Sequence, residues 1–212
     1  MPAPHQQGTE LRGASRPSDP PLAQRPVRAD ARRSREAIIA AFERLTVERG
    51  ADVAMYEVAR AAGLGQGTLY RHFPTRSVLV AEVFERIIDH LGLDAGEADD
   101  PGRFLRMLTA ALRSQVRTHG LTRALRDAQD GMRLLERLTR RAVEAFEEPL
   151  AAARAAGVVR EDLTTDDVLT MMAMLDGVIS SLVALKRRDE AAERAIELLL
   201  EGVLVDGSEP PG

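Results

Sequence analysis

The chain has 212 residues, 29 basic and 33 acidic side chains, a net charge of −4, and no cysteine. That length admits one large domain or two small ones, and a 44% apolar share can fill a core without disulfide or metal staples. The missing cysteines exclude disulfides and thiolate chemistry, His5, His72, His90 and His119 lack metal-ligand spacing, and no stretch is long and apolar enough to span a bilayer.

Residues 1–29 hold six of the eleven prolines among Gly, Ser, Gln and Arg. Such a stretch buries too little apolar surface to offset its ordering entropy, so a disordered arm is expected. Arg12, Arg16, Arg25 and Arg28 would suit an arm reaching a nucleic-acid groove, and a plain unstructured leader is the other reading. No apolar signal-peptide core is present in it, so a cytoplasmic protein is expected.

From there the apolar residues recur at helical spacing, and few β-branched runs interrupt them; the class is all-α. A first helix is expected over about Ala31–Arg49, closed by Gly50. Short helices over Tyr56–Ala62 and Gln66–His72 follow, separated by Gly63, at a position that favours positive φ. Val58, Ala59, Ala62, Leu64, Leu69 and Phe73 supply a small core for two helices meeting steeply. This is the layout of a helix-turn-helix, whose second helix enters a major groove. A fourth helix spans about Thr75–Leu91.

Gly92–Asp100 is a glycine- and acid-rich break, read as the boundary between a 30–92 DNA-binding domain and a 93–206 helical domain. Residues 1–92 hold 13 Arg and 11 acidic residues, whereas 93–212 hold 16 basic and 22 acidic ones. A mildly basic head on an acidic body suits sequence-specific DNA binding. Asp100-Pro101 reads as an N-cap followed by proline at the first helical position. A fifth helix to His119, stopped by Gly120, and a short sixth over Leu121–Ala128 come next. The seventh, about Met132–Ala156, should kink or break near Ala145–Glu148 because of Pro149. Thr164 and Asp167 form a capping box before an eighth helix that runs to about Leu185 and is apolar nearly all round. A ninth covers Asp189 to about Val205, and 207–212 is an expected disordered tail. No carboxylate pair, Ser–His arrangement or phosphate loop occurs at useful spacing, so no enzyme and no cofactor is expected.

The stretch Glu57–Val80, EVARAAGLGQGTLYRHFPTRSVLV, resembles the TetR family of bacterial transcriptional regulators. Val58, Ala59, Ala62, Gly63, Gly67, Thr68, Leu69, Tyr70, His72, Phe73 and Leu79 sit at the family's motif positions. The chain departs from the pattern at Ala54, Met55 and Gly65, where the family carries hydroxyl side chains. Residues 104–178 faintly resemble the SbtR-like C-terminal type. The resemblance implies a homodimer on near-palindromic operator DNA, most often a repressor released by a small ligand.

Contacts to DNA divide into positioning and reading. Thr68, Tyr70, His72 and Arg76 are the expected phosphate contacts, and Tyr56 matches a position from which family members touch the backbone. For Tyr70, packing between the first and third helices stands beside the phosphate reading; for His72, a buried helix end is the lesser reading. Gln66 and Arg71 are the expected base readers, since Gln pairs bidentately with adenine and Arg with guanine. Gly67 lets the backbone come close.

By the same resemblance, the fourth to seventh helices surround a pocket for an apolar or amphipathic ligand. The candidate lining is Phe104, Met107, Leu108, Leu112, Leu125, Met132, Leu135, Phe146, Met171, Met174 and Leu175, with Arg113, Arg117 or Arg133 as possible anchors for an acidic group. The last two helices would pair across a dimer through Met172, Leu175, Ile179, Leu182, Ala195 and Leu199. The alternative function is a helical homodimer that binds partner proteins and has weakened or lost DNA binding, supported only by the missing hydroxyls at 54, 55 and 65.

Overall fold

In a computed structural model that describes residues 24–97, 100–182 and 188–205, the described residues form eight helices. They are α1 (Gln24–Arg49), α2 (Met55–Ala61), α3 (Gln66–His72), α4 (Arg76–Asp94), α5 (Arg103–Arg126), α6 (Gly131–Ala155), α7 (Thr165–Leu182) and α8 (Arg188–Glu201). Helix α1 starts at Gln24, earlier than the expected Ala31, so residues 24–29 of the expected arm are helical; the rest of the arm and the 207–212 tail lie outside the described residues. Pro26 falls in the first turn, where a missing N–H leaves no hydrogen bond unmade.

Local chemistry sets several of the helix ends. Gly50, Gly63 and Gly157 follow α1, α2 and α6 with φ of 83°, 69° and 69°, a region open to glycine. The Thr164–Asp167 box forms in full: Asp167 N donates to Thr164 Oγ1 at 3.2 Å, and Thr164 N donates to Asp167 Oδ2 at 2.8 Å. Asp100 Oδ1 accepts from Gly102 N at 2.8 Å ahead of α5. The break between α4 and α5 is held by arginine: Arg106 Nε donates to the Ala95 carbonyl at 3.0 Å, and Arg103 Nη2 to the Gly92 carbonyl at 3.1 Å.

Two expected helix breaks are absent. Helix α5 runs unbroken through Gly120, so the expected fifth and sixth helices are one. Gly120 serves packing: a Cβ there would lie 2.8 Å from the Ala51 Cβ, in the loop after α1. Helix α6 likewise continues through Pro149, which is buried within it. The ninth expected helix is α8, ending at Glu201 rather than Val205; beyond it an isolated bridge pairs Val159 with Leu204.

The buried side chains form two clusters that ignore the Gly92–Asp100 break. One joins α1–α4 to Leu121 and Leu125 of α5 and Leu134 and Leu138 of α6. The other joins the first half of α5 and the second half of α6 to α7 and α8. Helices α5 and α6 therefore belong to both cores, and the DNA-binding end is packed on the C-terminal helices directly.

Gly120→Ala should lower Tm, although alanine gains about 1 kcal/mol of helix propensity, because overpacking costs roughly 1–3 kcal/mol. Adding Ala51→Gly should recover most of the loss in thermal melts followed by circular dichroism. The Thr164 hydroxyl, then its amide, hold the Asp167 carboxyl below its ordinary pKa. The stabilisation is therefore present above the ordinary carboxylate range and lost as pH falls through the lower folded value. Asp167→Asn should flatten that part of the acid limb in urea melts between about pH 5 and pH 2.

Candidate nucleic-acid interface and effector cavity

Helix α3 has the bounds expected of it, and its seven residues divide by helical period. Leu69 and, just past its end, Phe73 are fully buried, which fixes the helix on α1 and α2. Gln66, Gly67, Tyr70 and Arg71 emerge on the opposite side, with Thr68 and His72 half-buried at its flanks. Tyr70 is 46% exposed, so its ring is not enclosed between α1 and α3. Tyr56, at 55%, stands out from the first turn of α2. Burial, then the positive charges of Arg71 and Arg35, lower the His72 pKa below its ordinary value and favour the neutral imidazole.

The missing hydroxyls at the start of α2 and α3 leave the helices intact. Ala54 has no side-chain acceptor, but Glu57 Oε2 accepts from Ala54 N at 3.2 Å, one half of a capping box. Arg49 Nη1 holds the same carboxylate through Oε1 at 3.2 Å. Glu57 was not among the expected functional residues; its signal was its place three residues after an uncapped helix start. At Gly65 and Gly67 an added Cβ would meet nothing within 4 Å, so nothing inside the chain demands glycine there.

Arg76 departs from expectation. Its guanidinium turns inward, donating to the carbonyls of Val53 and Ala51, with its carbon 5.4 Å above the Phe42 ring centroid. Both terminal nitrogens are thus engaged on the loop between α1 and α2, and phosphate contact is no longer the role this geometry supports. Burial lowers the Arg76 pKa, with Asp52 opposing it. The neighbouring Ser77, buried, donates from Oγ to Asp130 Oδ1 at 2.6 Å and ties the start of α4 to the α5–α6 turn. A serine near a helix start reads as a cap, so the sequence held no signal for this tie.

A cavity of about 200 Å³ lies between α4, α5, α6 and α7. Phe84, Ile87 and Ile88 of α4 form one wall, and Leu135, Leu138 and Phe146 of α6 another. Helix α5 supplies Ala111, Ser114, Gln115, Thr118 and Thr122, while α7 supplies Leu169 and Met172. Of the expected lining only Phe146 and Leu135 reach it. Phe104, Met107, Leu108, Leu112, Leu125, Met171 and Leu175 are buried in the cores instead. Met132 and Met174 point outward, at 62% and 52% exposure. The expectation took the most apolar face of each helix, and that face packs against protein, leaving the mixed face of α5 to the cavity. None of Arg113, Arg117 and Arg133 lines it; Arg117 belongs with Arg86 and Arg106 to an adjoining crevice that shares Ile87, Leu91 and Ser114 with the cavity.

The expected dimer residues are redistributed too. Leu175 and Ile179 are fully buried within one chain, and Met172 lines the cavity. Ala195 and Leu199 pack partly buried on the C-terminal core, and the Leu182 side chain lies outside the described residues. The outward face of α7 is Ala173, Met174, Gly177, Ser180 and Ser181, and Leu198 of α8 is 53% exposed.

A short helix fixed by two buried side chains, presenting glutamine and arginine outward after a glycine turn, defines a helix-turn-helix DNA-binding protein. Residues 38–83 match the family of bacterial regulatory proteins called tetR, and residues 100–205 match the C-terminal domain of SbtR-like transcriptional regulators. The chain is 30% identical over 180 residues to the transcriptional repressor KstR of Rhodococcus jostii (strain RHA1), covering 75% of this chain and 76% of that one. It is 32% identical over 74 residues to the regulator SAR0097 of Staphylococcus aureus (strain MRSA252), a match spanning 34% of this chain and only 38% of that protein's length. A TetR regulatory protein of Mycobacterium vanbaalenii superposes with a TM-score of 0.62 at 30% identity, covering 85% of this chain and 100% of that one. The chain belongs to the TetR family and is a DNA-binding transcriptional regulator, not an enzyme. The reading as a protein-interaction module without DNA binding finds no support in these relatives.

Arg76→Ala should lower stability by about 1–3 kcal/mol through loss of charge-assisted hydrogen bonds and weaken every operator sequence alike. Arg71→Ala should leave Tm nearly unchanged while narrowing the gap between operator and random DNA. Melting curves beside fluorescence-anisotropy titrations separate the two.

Proposed function

We propose that the protein is a cytoplasmic, homodimeric repressor that leaves its operator when a small molecule fills the α4–α7 cavity. The observation that carries the DNA half is the division of α3 into a buried side, Leu69 with Phe73, and an exposed side of Gln66, Gly67, Tyr70 and Arg71. Gln66 and Arg71 read base edges, each good bidentate pair contributing about 1–3 kcal/mol of discrimination. Thr68, Tyr70, His72 and Tyr56 set the register on phosphates. Gly67 gives up about 1 kcal/mol of helix propensity relative to alanine with no internal contact to justify it; close approach of the duplex supplies the reason. So short a reader needs a second copy, which the exposed Met174 and Leu198 faces of α7 and α8 accommodate.

Release follows from the shared helices. Helix α4 lines the cavity with Phe84, Ile87 and Ile88 and grips the DNA-binding end through Arg76. Helix α5 lines it with Gln115 and Thr118 and touches Ala51 at Gly120. A ligand that favours another placement of these helices lowers the population with correctly spaced reading heads.

On DNA from upstream of its own gene, the protein should give salt-sensitive, sequence-dependent gel shifts. Met174→Glu with Leu198→Glu should yield folded monomers by analytical ultracentrifugation with at least tenfold weaker operator binding. A helical dimer of unchanged affinity in that variant would remove α7 and α8 from the interface.

A further inference from the structure

Among the buried side-chain atoms of the described residues, Gln115 Oε1 has no hydrogen-bond partner, and Gln115 lines the cavity. The amide cannot be turned round to repair this. Its Nε2 donates to the Met172 carbonyl of α7 at 2.8 Å, and reversing the group would set oxygen against oxygen. A buried acceptor left unpaired is unfavourable, and in a native site it calls for a donor. None of the cavity-lining hydroxyls, those of Ser114, Thr118, Thr122 and Thr139, pairs with it. Thr118 Oγ1 donates to the Ser114 carbonyl at 2.9 Å and Thr122 Oγ1 to the Thr118 carbonyl at 3.4 Å, so their protons are spent on α5 itself. No charged side chain of the described residues lines the cavity, so an ionised group held against its walls would have no counter-ion among them.

We infer that the cavity takes a compact, neutral, largely apolar molecule carrying one hydrogen-bond donor, a hydroxyl or an amide N–H, which pairs with Gln115 Oε1. Gln115 is the specificity-determining residue of the site, and through Met172 it ties the ligand to α7. The inference rests on the effector reading above.

The test uses calorimetric titration of the full chain with two homologous sets: n-hexanol, pentyl methyl ether and hexanoate; n-octanol, heptyl methyl ether and octanoate. Alcohol and ether in each set are isomers that differ in possession of a donor. In the wild type the better-fitting alcohol should bind at least tenfold more tightly than its ether, and the carboxylates should not bind detectably. In Gln115→Leu that ratio should fall close to one, read within a single variant so that any general loss of affinity cancels. Equal binding of alcohol and ether by the wild type, a ratio unchanged in Gln115→Leu, or preference for the carboxylates would overturn the inference while leaving the cavity an effector site. Binding of no member of either set by the wild type would overturn both readings.

Discussion

The structure depends on the grip that Arg76 keeps on the loop between α1 and α2. A guanidinium offers several donors in a fixed fork, and here its terminal nitrogens satisfy the carbonyls of Ala51 and Val53 while its plane sits over Phe42. Those carbonyls lie in an irregular turn with no helix or strand to pair them. The same loop, held by Arg76, is also met at Ala51 by the bare backbone of Gly120. Arg35 adds a second clamp, its guanidinium carbon 4.7 Å from the Phe73 ring centroid and its nitrogen on Glu82 of α4.

This constraint makes the DNA-binding end part of the same solid as the cavity. Adjacent residues of the first α4 turn face different ways: Arg76 to the reading head and Ser77 to Asp130 at the α5–α6 turn. The first buried cluster continues from α1–α4 into the second half of α5 and the first half of α6. A shift of α4 or α5 therefore reaches α3 through packed side chains rather than along a flexible linker, the condition under which small displacements are passed on.

Legibility in the sequence tracked the range of the interactions involved. The α3 bounds, the Gly63 turn and the Thr164–Asp167 box all depend on residues within a few positions of one another, and the structure contains each. Helix α5 instead starts at Arg103, two residues later than the expected Pro101, with Asp100 Oδ1 holding the Gly102 amide in the turn before it. Gly120 misled because glycine serves two ends: it stops helices, and it lets another backbone come close. Only the distant Ala51 reveals which applies. Pro149 shows the converse, a helix breaker retained and buried inside α6.

The sequence by itself determined the all-α class, the helix-turn-helix with its exposed Gln66 and Arg71, and the family, because these follow from periodicity, capping and a motif of fixed spacing. Only the tertiary structure decided which side of each long helix faces what. Helix α7 is apolar nearly all round, so its own period could not assign Leu175 and Ile179 to the core, Met172 to the cavity and Met174 to the surface. Nor could the sequence show that Arg76 points inward, since its partners lie more than twenty residues away. The cavity wall on α5 is built from its less apolar face, because the most apolar one is taken up by contacts between helices.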